Sequence, residues 1–179
     1  AMLWRTTTSN PQKNSLMARR DWLIVPVFIP NMGCPYRCVF CNQTEISGAK
    51  EQADQEVVER AFQTYFQNRS VDDLPRHREL AFYGGSFTGL PLERQRNLLA
   101  LARPWIEGGW IGSIRVSTHP LFIDAERLAL LKKLHVGTVE LGLQSSDPEV
   151  LGLSGRECDM ETVRSAVRLI RGQGFRLGL

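Results

Sequence analysis

The sequence has no apolar run long enough to cross a bilayer; the longest, Trp22 to Pro30, is strand-sized and interrupted by Pro26. The first twenty residues also lack the apolar centre of a signal peptide, running through Thr6, Thr7, Thr8, Ser9, Asn10 and Pro11 to Arg19 and Arg20. These absences argue against a membrane protein or a secreted one, and the expected compartment is the cytoplasm. Residues 1–20 are expected to form a flexible arm. The same stretch also reads as upstream sequence before a start at Met17, or as a transit peptide. Charge of one sign is not in large excess: 22 Lys and Arg against 19 Asp and Glu leave +3, too little to identify a nucleic-acid or phosphate-bearing partner. Only four cysteines are present, which is a poor basis for a disulfide framework, yet three of them fall within eight residues. In a reducing compartment such a cluster points to metal rather than to disulfides.

What is there is the composition of one globular domain, with 42% hydrophobic and 23% charged residues in 179. Apolar runs of strand length alternate with stretches of helical period. Strands are expected at Trp22–Ile29, Glu79–Tyr83, Ser113–Ser117, Thr138–Gln144 and Phe175–Leu179. Helices are expected over Gln55–Gln67, over Leu92–Ile106, from an Asp124 N-cap to Leu134, and over Met160–Arg171. A unit of about 30 residues repeated this way predicts parallel βαβ units. The strands read as apolar, as in a sheet covered on both faces. The fold class is therefore α/β, with an open doubly wound sheet or a barrel as the two closures, and both collect chemistry at the C-terminal ends of strands. The sequence stops at Leu179, inside the fifth expected strand, so a fragment of a longer fold is expected, truncated after about five strands.

The residues with chemical potential sit at those strand ends. The segment Asn31-Met32-Gly33-Cys34-Pro35-Tyr36-Arg37-Cys38-Val39-Phe40-Cys41-Asn42 has C-x3-C-x2-C spacing. Thiolates suit zinc or iron–sulfur clusters. A closed zinc site takes four ligands, and the nearest histidine, His77, lies a helix away. Three thiolates on a four-iron cluster leave one iron open to another ligand. Buried apolar cysteines, a zinc loop and a purely electron-carrying cluster remain open beside that reading.

C-x3-C-x-φ-C, with aromatic Phe40 before the last cysteine, resembles the signature of the radical S-adenosylmethionine (SAM) superfamily. The resemblance implies a [4Fe–4S] cluster on Cys34, Cys38 and Cys41 whose open iron is chelated by the amino and carboxylate groups of SAM. It implies a partial (β/α) barrel over residues 21–179, reductive cleavage of SAM to a 5′-deoxyadenosyl radical, and a reductant protein of ferredoxin or flavodoxin kind. The protein's share is binding, orientation and exclusion of water.

Other motifs extend the resemblance. Phe82-Tyr83-Gly84-Gly85-Ser86-Phe87 closes the second strand. A Gly-Gly pair there is by itself a turn. One strand after the cysteine loop it looks like the family's glycine motif, which implies that Gly84, Gly85 and Ser86 contact the methionine amino group, although the family often has Glu or Thr at the position of Ser86. Gln144 and Arg156 read locally as a strand-end residue and a solvated arginine. Together they resemble the branch containing the Elongator catalytic subunits and the coproporphyrinogen dehydrogenases, where such residues contact the ribose and carboxylate of the cofactor. That branch commonly has His two residues after the arginine; here Cys158 stands there and is read as a non-ligand. His119, after the third strand, reads equally as a proton shuttle, a substrate contact or an ordinary loop histidine. The wording of Phe82–Phe87, Val116–Pro120 and Val139–Ser145 is more similar to the Elongator-type proteins, which implies a tRNA base or nucleotide-like substrate. A porphyrinogen dehydrogenase, a non-enzymatic iron–sulfur or zinc module and a plain RNA-binding domain are the rival readings.

Overall fold

A computed structural model describes residues 22–43, 45, 53–156 and 158–179. The arm expected over residues 1–20, with Met17, lies outside them. Five parallel strands form one sheet in the order β1 (Trp22–Phe28), β2 (His77–Tyr83), β3 (Ser113–Thr118), β4 (Val136–Leu141), β5 (Arg176–Gly178). All five coincide with predicted strands. A doubly wound sheet reverses its strand order at a switch point. Here the order rises without reversal. Right-handed crossovers then all step the same way and place their helices on one face, which is the winding of a barrel and settles the choice of closure. The described part is a partial (β/α) barrel.

Four crossover helices begin at an aspartate. Helix α1 (Gln55–Phe66) starts at Asp54, whose carboxylate accepts the Val57 N–H. Asp124 caps α4 (Ala125–Lys133) through the Arg127 N–H, Asp147 caps α5 (Pro148–Leu153) through the Glu149 N–H, and Asp159 caps α6 (Met160–Gly172) through the Thr162 N–H. Each cap stabilises by about 1 kcal/mol. The single helix expected over Leu92–Ile106 is two, α2 (Leu92–Ala100) and α3 (Arg103–Glu107). Pro104 has no N–H to donate to Ala100 and restarts the helix in its first turn. No helix among the described residues is long and apolar enough to cross a membrane.

The sheet's two faces differ in chemistry. Val25, Val27, Leu80, Phe82, Ile114, Val116, Val139 and Leu141 face the helices and join their apolar residues in one core. In its outer part Phe62 stacks on Trp105, ring centroids 4.0 Å apart. The alternate residues make a polar inner face, which the apolar reading of the strands did not anticipate. Glu79, 1% exposed, accepts hydrogen bonds from Ser113 Oγ (2.8 Å), Thr138 Oγ1 (3.0 Å) and Arg115 Nε (2.8 Å), and it also pairs with Arg176. Arg115 pairs in addition with Glu140, and the Arg176 guanidinium lies 4.8 Å from the Trp22 ring centroid. Two arginines thus neutralise two glutamates across β2, β3, β4 and β5. Register makes this work: Glu79 lies opposite Ser113, Arg115 opposite Thr138 and Thr138 opposite Arg176.

After α4 the chain turns in the left-handed region at His135 (φ 62°), an exposed residue whose carbonyl accepts the Ile114 N–H. Glycine usually occupies this position after a helix. His135→Gly is expected to raise stability by about 0.5–1 kcal/mol, read as a higher melting temperature; an unchanged or lower one would refute the strain.

Candidate cofactor site

A cavity of about 340 Å3 opens where the C-terminal ends of β1 to β4 converge. Its lining includes Cys34, Cys38, Cys41 and Phe40 from the first loop, Gly84, Gly85 and Ser86 from the second, His119 after β3, and Gln144 and Arg156 after β4. Every site residue expected from the sequence is brought to this one place, although Cys38 and Arg156 lie 118 positions apart. Cys158 does not line it; its thiol donates weakly to the Asp159 carbonyl, and burial pushes its pKa up.

Backbone contacts hold the cysteine loop. The Ser86 N–H donates to the Met32 carbonyl (2.8 Å), the Asn31 N–H to the Gly84 carbonyl (3.3 Å), and the Val39 N–H to the Ser154 carbonyl beyond α5 (3.0 Å). Glycines make this approach feasible. A Cβ on Gly85 would overlap the Met32 carbonyl oxygen and sit 2.7 Å from that of Ile29. Gly33, at φ +71°, and Gly89 press together in the same way, a Cβ on Gly89 overlapping the Gly33 carbonyl. In the apposition seen here, the close neighbour that requires Gly85 is the cysteine loop itself.

Ser86 is 1% exposed and its hydroxyl serves the protein: Oγ accepts the His119 N–H (3.0 Å) and lies 3.0 Å from Thr118 Oγ1. Thr118 Oγ1 in turn accepts the Thr88 N–H (3.2 Å). This buried hydroxyl chain joins the end of β2 to the end of β3. A direct contact between the Ser86 hydroxyl and a ligand has therefore to compete with two bonds already made.

Arg156 is 8% exposed. It donates to the Gly142 carbonyl, and its Nη1 lies 3.9 Å from Cys38 Sγ. Gly142, not singled out in the sequence, is where room is short: a Cβ there would lie 3.1 Å from Arg156 Nη2 and 3.3 Å from Gln144 Nε2. Gln144 holds a left-handed backbone (φ 71°), which costs a non-glycine residue on the order of 1 kcal/mol and turns the strand end towards the cavity.

His119 is 2% exposed. Its Nδ1 accepts the Leu121 N–H (3.2 Å), and its ring stacks on Tyr36 with centroids 5.0 Å apart. Burial, then the Arg156 charge, lowers its pKa to about 4, so the ring is neutral at pH 7. Tyr36, Gln43, Ser117 and Thr118 complete the polar lining; of these, Tyr36 lay within the cysteine motif and the two β3 residues within the motif ending at Pro120. No three His, Cys, Asp or Glu side chains among the described residues are grouped as a single metal ion requires.

A three-thiol loop and a glycine turn thus open on one cavity at the C-terminal ends of the strands of a partial barrel, the end at which such barrels carry their chemistry. The sequence profile of the radical SAM superfamily matches residues 28–178. The chain belongs to that superfamily, whose members are enzymes using a [4Fe–4S] cluster and SAM. Over 103 residues, 56% of its length, it is 31% identical to an oxygen-independent coproporphyrinogen III oxidase of Paracoccus denitrificans and spans 22% of that protein. Its fold is similar to coproporphyrinogen III oxidase HemN of Escherichia coli, described as a radical SAM enzyme (TM-score 0.60, 24% identity, 90% of this chain and 37% of that one). It is also similar to Elp3 of Methanocaldococcus infernus (0.57, 18%, 88% and 37%). The chain thus covers well under half of these relatives.

Proposed function

We propose that Cys34, Cys38 and Cys41 hold a [4Fe–4S] cluster and that Gly84, Gly85, Gln144 and Arg156 seat SAM beside it, with Phe40 packed against the pair. The carrying observation is the convergence of these residues, from the ends of β1, β2 and β4, on one cavity of about 340 Å3, a size that suits a small-molecule ligand. When bound, the cluster and SAM supply reductive cleavage of the sulfonium and a 5′-deoxyadenosyl radical able to abstract a substrate hydrogen.

The chain's own residues bind and orient. Arg156 brings a positive charge and fixed donors suited to a carboxylate, and its buried Nε has no partner among the described residues. Ser86 acts by locking the ends of β2 and β3 together through His119 and Thr118. Val39 and Phe40, 80% and 49% exposed on the cysteine loop, form the outer face across which a ferredoxin- or flavodoxin-like reductant would deliver its electron. A reducing cytoplasm would suit these thiols.

Two substrates are carried forward. The wording of the strand-end motifs favours an Elongator-like role on a tRNA base or another nucleotide-like molecule. The 31% identity to a coproporphyrinogen oxidase favours a porphyrinogen.

Anaerobic reconstitution with iron and sulfide, followed by electron paramagnetic resonance of the reduced protein, tests the core reading. The expected spectrum is that of a [4Fe–4S] cluster, shifted on adding SAM, and Cys38→Ser is expected to lose at least nine-tenths of it. A cluster blind to SAM, or zinc in place of iron, would sink the proposal.

A further inference from the structure

Two residues of the cavity each carry one buried N–H that nothing accepts among the described residues: Arg156 at Nε and His119 at Nε2. Orphaned donors this deep are rare and cost about 1–3 kcal/mol each in the unliganded protein, so an acceptor supplied from outside is the economical account. For His119 the donor can be assigned. Nδ1 accepts the Leu121 N–H, so Nδ1 carries no proton and the neutral ring must carry its proton on Nε2. The ring cannot turn away freely. It stacks on Tyr36 on one side and meets Phe122 edge-on, centroids 6.0 Å apart, on another. Its backbone N–H is tied to Ser86 Oγ. His119 is therefore a fixed, uncharged, single-donor group.

Resting on the proposed SAM site and on Arg156 as its carboxylate contact, we infer that His119 Nε2–H is a second donor to the ligand's carboxylate, beside the Arg156 Nε–H. The two residues share the 340 Å3 cavity, and the Arg156 charge is felt at the imidazole. A carboxylate has two oxygens and one negative charge. One cationic and one neutral donor offer an N–H to each of its two oxygens. A ribose hydroxyl or an adenine nitrogen would accept from one of them and leave the other donor buried without a partner. The role is distinct from proton transfer: in this pairing the imidazole donates a hydrogen bond and keeps its proton.

The test is equilibrium binding to the reconstituted full chain with two probes, SAM and 5′-methylthioadenosine, which keeps adenine, ribose and sulfur but lacks the amino-acid end. His119→Phe keeps a ring against Tyr36 and removes the donor; His119→Gln restores an N–H. For His119→Phe the expected result is a SAM dissociation constant raised at least tenfold, methylthioadenosine binding changed less than twofold, and recovery to within about threefold of wild type in His119→Gln. The retained methylthioadenosine binding shows that the variant's cavity is folded. Should His119→Phe lose binding of both probes, His119→Gln decides: tighter SAM binding than His119→Phe supports the donor role, and equal weakness overturns it. Unchanged SAM binding in His119→Phe overturns the inference, as does equal, modest weakening of both probes, which would put the donor on the nucleoside. Wild-type protein whose cluster signal ignores SAM would instead bring down the site reading on which this inference stands.

Discussion

Gly85→Ala is expected to reduce iron loading on reconstitution to less than a tenth of wild type while the circular dichroism of the sheet persists. The added methyl would overlap the Met32 carbonyl oxygen and lie 2.7 Å from the Ile29 carbonyl oxygen and 3.1 Å from the Met32 N. All three are backbone atoms of the segment leading into Cys34, so no side chain can rotate aside. The loop itself has to move, losing the Ser86-to-Met32 and Asn31-to-Gly84 hydrogen bonds, at a stability cost of about 1–3 kcal/mol. Gly152→Ala is the control, since a Cβ there meets nothing within 4 Å; it should load iron normally. Iron and sulfide assays with a melting curve decide the matter. Normal loading of Gly85→Ala would show that the apposition of the two loops does not position the thiols.

Glu79→Leu is expected to be the most destabilising single change on the inner face, by about 3–5 kcal/mol. The carboxylate is 1% exposed, and its loss strands Arg115, itself only 15% exposed at the side chain, with Glu140 alone. Arg176, at 49%, can turn to solvent, which favours the lower end of the range. Glu79→Gln keeps an acceptor and separates shape from charge. Burial pushes the Glu79 carboxyl up, but hydrogen bonds from Arg115, Ser113 and Thr138 and the Arg115 charge outweigh it and hold the pKa below 4.5. A depressed carboxyl stabilises fully above its unfolded value and loses that contribution as pH falls through the folded one. The wild type should therefore lose stability below about pH 4.5, and Glu79→Gln should lack that part of the slope. His119 acts earlier. Its folded value of about 4 against an unfolded 6.5 makes stability fall as pH drops from 6.5 to 4. Urea unfolding at a series of pH values separates the two windows. A Glu79→Gln profile parallel to wild type below pH 4.5 would contradict the assignment.

The fold was legible because its signals are local and repeated: strand-length apolar runs, helical periods between them, and an aspartate cap at Asp124. The inner-face ion network was not. Arg115, Glu140 and Arg176 each appear in sequence as one charge between apolar neighbours and Glu79 follows Arg78, and only the cross-strand register brings the four together. The alternation of Ile114, Arg115 and Val116 was the signal available, and it marks a half-polar strand. Beyond Gly137 the alternation changes phase, because the pairing slips by one residue between Ile114 and Arg115. The candidate site divides the same way. Its cysteines, glycines and arginine were visible as motifs, whereas the burial of His119 arises from contacts between loops separated by whole βα units, and the crowding at Gly142 from the return of Arg156 past α5.

The hold of the cysteine loop on its neighbours is backbone to backbone, anchored near Met32 at one end and near Val39 at the other. These bonds join the loop to the sheet through the chain's own backbone and need no metal ligand to be made. In small zinc domains the free energy of metal binding is also the free energy of folding. If the three thiols hold the proposed cluster, the two are separable here, and cluster affinity can be tuned through the thiols and their surroundings without moving the stability of the barrel.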